Sequence, residues 1–75
     1  MHDTVALLAD WPAVEFGSTR SIVLRRGQVG TVVMDFDGPT FEVEFSDSEG
    51  RTCALVTVPA ENLMVLHDSL LAHAV

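Results

Sequence analysis

Arg20, Arg25 and Arg26 are three of only four Lys/Arg residues in the chain, and they gather before Gly27. Guanidinium forks beside glycine N–H groups are the parts of an anion or carboxylate site. The plainer reading stands ahead of it: a solvated turn whose arginines pair loosely with nearby carboxylates. No Gly-Lys-Ser/Thr follows the glycines, so a P-loop is excluded. Glu42 and Glu44 are two apart in an alternating segment and therefore share one strand face. Two such carboxylates could serve acid–base work or hold a cation. No third ligand stands at a fixed spacing, and a solvated face that discourages edge-to-edge pairing is the better account.

The remaining candidates are weaker. His2, His67 and His73 lie near the termini, and the six-residue gap between the last two does not match i, i+4 ligand spacing. Cys53 sits among apolar residues, where an inert thiol is expected, with no histidine in the neighbouring runs to activate it. No Gly-x-Ser-x-Gly elbow is present. Trp11, next to Pro12, could anchor a partner or plug one end of the core. Phe41 and Phe45 alternate with glutamates, which makes them core rather than stacking platforms. These residues point away from an enzyme and call for no cofactor or metal.

The elements that must position these residues are short. At 75 residues the chain is one domain, and so small a domain buries only roughly 60% of its unfolded surface. One cysteine rules out an internal disulfide. Reinforcement must come from a dense core or from self-association, and a 48% hydrophobic composition can supply either. The net charge of −7 and the lack of lysine oppose phosphate neutralisation, so they speak against nucleic acid and anionic membranes. The acidity serves solubility or suits a basic protein partner. No signal-like or membrane-spanning run is found, and a lone thiol fits a reducing compartment, so a cytoplasmic location is expected.

Residues 5–9 read as a first strand ended by Asp10-Trp11-Pro12, and residues 12–21 as a long loop. Ile22-Val23-Leu24 leads to the turn Arg25-Arg26-Gly27. Val29 to Phe36 is a strand in which Gly30 marks a bulge or a close backbone approach. Asp37-Gly38 is a hairpin signal. Thr40 to Ser46 alternates, with Phe41, Val43 and Phe45 on one face. Asp47-Ser48-Glu49-Gly50 is a turn. Arg51 to Val58 carries apolar residues on both faces, as a strand covered on both sides does. Pro59-Ala60-Glu61-Asn62 forms one helical turn, and Leu63 to Leu66 a last strand. From Asp68 the chain is helix-prone but too short to hold a helix alone.

The order of a strand, a long loop, three meandering strands, a helical turn and a last strand is similar to the SH3-like barrel. More narrowly, Asp3-Thr4-Val5, Arg26-Gly27-Gln28-Val29-Gly30-Thr31-Val32-Val33, Phe41-Glu42-Val43-Glu44-Phe45 and Thr57-Val58-Pro59-Ala60-Glu61-Asn62-Leu63 resemble a family of small bacterial proteins known as domain of unknown function 4926. The resemblance runs from about Asp3 to Leu66 and carries over no catalytic residue. The Gly-x-x-Gly-Thr-Val core also looks like the KOW motif of ribosomal and transcription proteins, although those modules are usually basic.

The expectation is an all-β, five-stranded SH3-like barrel over residues 1–66, with a tail or short helix over 67–75. The expected role is non-enzymatic: a module that binds a protein partner or assembles with itself. An antitoxin- or immunity-type inhibitor of a basic partner is one concrete version. Trp11, Ala54, Val56, Leu70 and Leu71 are the expected contact residues. The alternative is a KOW-like RNA contact through Arg20, Arg25 and Arg26.

Overall fold

The computed structural model describes residues 3–35 and 38–66. Seven strands follow in chain order: β1 (Thr4–Leu7), β2 (Trp11–Val14), β3 (Ser21–Leu24), β4 (Val29–Asp35), β5 (Thr40–Ser46), β6 (Thr52–Pro59) and β7 (Leu63–Leu66), with a 3₁₀ turn, Ala60–Asn62, before the last. Five form one antiparallel sheet in the order β6-β5-β4-β1-β7, and β2 and β3 form a separate hairpin. The fold is all-β as expected, but among the described residues there are seven strands rather than five, and their ladders do not close into a barrel. The expected tail, with Leu70 and Leu71, lies outside the described residues.

The two extra strands come from the segment read as a loop. Trp11, Ala13, Ile22 and Leu24 face the core, while Pro12, Val14 and Val23 stay exposed. This is a short period-2 pattern interrupted by Pro12. In a two-stranded ladder one side of each strand is free of pairing, so a proline without an N–H is tolerated there. The first strand also ends earlier than its apolar run implies, at Leu7.

The core is Val5, Leu7, Leu24, Val43, Phe45, Ala54 and Val58, with Trp11, Ile22, Val32, Phe41, Val56 and Leu63 packed against it. β5 follows its alternation: Val43 and Phe45 are buried, and Glu42 and Glu44 are only half-buried on the other face. Gly30 makes the close approach and not the bulge. The extra residue lies at Val33, between the pairs Val32–Val43 and Met34–Glu42. The Asp47–Gly50 turn forms as its residues imply, with Gly50 at φ 82°.

Candidate functional site

The three arginines do not converge. Arg20 closes the β2–β3 hairpin, where its Nη2 donates to Glu15 Oε2 at 3.0 Å and its backbone N–H to Ser18 Oγ at 2.9 Å. Arg25 and Arg26 lie at the other end of β3, about 16 Å away at the usual rise per residue. The glycine amide beside them is already used: Gly27 N–H donates to Leu7 O at 2.7 Å. The Arg26 N–H donates to Asp10 Oδ1 at 2.8 Å, and the Arg25 N–H to Gln28 Oε1 at 3.2 Å. A carboxylate of the chain itself therefore occupies the amide an anion would need. The expected anion site is a braced loop.

The fourth arginine is also committed. Asp47 Oδ1 accepts from the backbone N–H groups of Glu49 (2.8 Å) and Arg51 (3.0 Å), and Oδ2 accepts from Arg51 Nε at 3.1 Å. The N–H of Arg51, then that of Glu49, holds the Asp47 carboxyl below its ordinary 3.8. Desolvation opposes this, and the charge and hydrogen bond of the Arg51 side chain add to the lowering. Arg51 also reaches Glu49 Oε1 at 3.2 Å. These are the contacts of a turn lock.

Glu42 and Glu44 do share a face. Glu44 stands in a row across all five strands, Leu66–Thr4–Thr31–Glu44–Leu55. Its Oε2 accepts a hydrogen bond from Thr52 Oγ1. Among the described residues no three His, Cys, Asp or Glu side chains gather as metal ligands. Cys53 is half-buried against the core, and its carbonyl accepts from Phe16 N–H at 2.8 Å.

The expected contact residues fall in unequal places. Ala54 is fully buried beneath the sheet and can touch no partner, and Val56 points into the same interior. On β6 it is Leu55 and Thr57 that face outward. Trp11 packs on the core beside Leu24, as a plug would.

The exposed apolar side chains lie elsewhere; besides Leu8, Met34 and Leu55 they form two groups. One group is the outer face of the hairpin: Pro12, Val14 and Val23, with Phe16 at its tip. The other surrounds β7, where Met64, Ala6 and Val29 stand in register across three strands. Met64 and Val29 are each about half exposed, at 49% and 50%. β7 is an edge strand, Leu-Met-Val-Leu, with no charge, proline or bulge to protect it.

The reverse side of β7 borders a cleft of about 80 Å³ lined by Asp3, Val5, Val32, Phe41, Ala60, Leu63 and Val65. Ordinary small-molecule sites start near ~300 Å³, so this one has room for a single aliphatic side chain. Sequence reading missed it because its walls come from five separate segments. The uncharged run Leu63–Leu66 was the one signal available.

The family described as a domain of unknown function (DUF4926) matches residues 1–65. The chain belongs to this family. The match spans every element from β1 into β7, so the Asp10–Arg26 brace, the Asp47 lock and most of the apolar edge lie within the DUF4926 unit. No curated protein and no solved structure matches the chain. Among the described residues no helix is long and apolar enough to cross a membrane.

Proposed function

We propose that this DUF4926 chain is a non-enzymatic module that binds a protein or a second copy of itself. The observation that carries the reading is the uncharged edge strand β7 with half-exposed Met64 and Val29 on either side of the buried Ala6. On a molecule of net charge −7 such an uncharged apolar area stands out, and surfaces of this kind mark association sites. An extended partner segment can add its backbone to an unprotected edge. The surrounding acidity favours a basic partner through faster encounter. An inhibitor of a basic toxic partner is a concrete form of this role.

The arrangement is SH3-like in its layout. The order β6-β5-β4-β1-β7, the hairpin inserted after the first strand and the 3₁₀ turn before the last support that kinship. Fold kinship alone assigns no activity. The arginines, split between two ends of β3 and partly committed to carboxylates, give RNA little to hold.

Nuclease-treated affinity purification from the source cell, with light scattering of the purified chain, tests the proposal. A stoichiometric protein partner or a defined oligomer supports it. A lone monomer that binds RNA with a steep salt dependence, lost on Arg25→Glu, contradicts it.

A further inference from the structure

The cleft behind β7 has a charge environment of its own. Arg20 and Arg51 pair with carboxylates of the chain itself. Arg25 and Arg26 precede the start of β4, and Arg51 precedes the start of β6, so all three stand at one end. The hairpin tip that carries Arg20 is tied to that same end by the Phe16–Cys53 hydrogen bond. These four are all the Lys and Arg residues in the chain. The cleft runs from Leu63, paired with Leu7, toward Phe41 and Ala60 at the other end. Asp3 lines it, Glu61 follows the lining residue Ala60, and Asp35 stands in register with Phe41. Asp3 is fixed there because its carbonyl accepts the Val32 N–H at 2.9 Å.

The walls are otherwise apolar, and Val65 is 47% exposed at the mouth. An apolar hole for one side chain with Asp3 on its wall, in a molecule of net charge −7, selects its occupant by charge. Resting on the protein-binding reading above, we infer that the cleft seats one aliphatic side chain of a partner segment flanked by Lys or Arg. The segment runs along the edge of β7. Its aliphatic residue fills the space between Val5, Phe41, Leu63 and Val65, and its basic neighbours meet Asp3 and Glu61. Partner segments of this kind occur on basic proteins, for which the net charge of −7 provides long-range attraction.

The test is a titration of the isotope-labelled full chain with the peptide Gly-Lys-Arg-Leu-Ile-Arg-Lys-Gly, followed by backbone amide shifts. Saturable shifts confined to Asp3, Val5, Val32 and Leu63–Val65 are expected. Replacing Leu-Ile by Ser-Ser, or the basic residues by Glu, should abolish them. Asp3→Lys, an exposed change, should weaken binding about tenfold, equivalent to about 1.4 kcal/mol, and Val65→Asp should abolish it with the fold intact by amide dispersion. No saturation at millimolar peptide, equal binding of the Glu version, or shifts centred on Val29 would overturn the inference. So would cleft shifts that depend on protein concentration, which would assign the cleft to a second copy. Cleft shifts produced merely by truncation after Leu66 would assign it to residues 67–75. A partner captured from cells alongside a silent peptide titration would sink the cleft assignment alone. A lone monomer in cells would sink the wider reading.

Discussion

Gly30 and Phe45 face each other so closely that a β-carbon on Gly30 would stand 2.8 Å from Phe45 Cε1. It would meet Glu44 O and Val43 Cγ1 at the same distance. Gly30 is extended backbone, so its need for glycine is steric and not conformational. Its missing side chain lets the ring of a fully buried phenylalanine lie over β4. Gly30→Ala should therefore destabilise the fold by about 1–3 kcal/mol, as overpacking of a filled core does. Chemical denaturation measures this, and adding Phe45→Leu should recover part of the loss. An unchanged midpoint for Gly30→Ala would show that the approach is looser than described.

The Asp47 lock predicts a particular acid limb. Its carboxyl is held below its ordinary value, so the folded state favours the charged form. The stabilisation is complete above the unfolded value of 3.8. It declines as pH falls through the lower folded value. Asp47→Asn should lower stability at neutral pH, and its deficit should shrink in stronger acid. Thermal midpoints of both proteins between neutral pH and strong acid read this out. A constant deficit at every pH would contradict the assignment.

Glu44 and Thr52 make a cross-strand hydrogen bond on the outer face of the sheet. Thr52→Val removes the donor and leaves a half-buried carboxylate with less support. The cost should be about 1 kcal/mol. A double-mutant cycle with Glu44→Gln should show coupling, whereas additive effects would mean the bond contributes nothing in solution.

Asp10 braces the loop before β4 by accepting the Arg26 N–H. Asp10→Ala should cost about 0.5–2 kcal/mol, the range measured when a side chain that caps backbone N–H groups at a helix start is removed. It should also expose the Arg26 amide to hydrogen exchange. Protection at Arg26 equal to that of the native chain would show that the brace does not form.

The central meander was legible because each of its strands obeys a local rule. β5 alternates without exception, Asp47–Gly50 is rich in turn residues, and Pro59-Ala60-Glu61-Asn62 breaks the strand pattern where the 3₁₀ turn forms. Gly30 was legible only as a bulge or a close approach, since a glycine inside a β-branched run signals either, and the structure shows the close approach. The β2–β3 hairpin was hidden by Pro12 and Gly17, which punctuate a sequence as loops do, and its strands are four residues each. The face of β6 was ambiguous because Ala54, Leu55 and Val56 are all apolar. The bulge that shifts register between Phe45 and Ser46 leaves no local mark. Consequently Val56→Asp reports on folding and not on assembly. The cleft was beyond local reading, since Asp3, Val32, Phe41 and Leu63 meet only once the sheet has formed.

The uncharged β7 edge is the centre of the account, and charging it tests the account most directly. Val29→Lys with Met64→Lys changes two exposed side chains on either side of Ala6 and leaves the core untouched. The measurement is association, by light scattering for self-assembly and by titration with any co-purified protein, for the native chain and the double variant. The account predicts association by the native chain and its loss in a folded variant. A native chain that stays monomeric and captures no protein, or a variant that associates as tightly as the native chain, would contradict it.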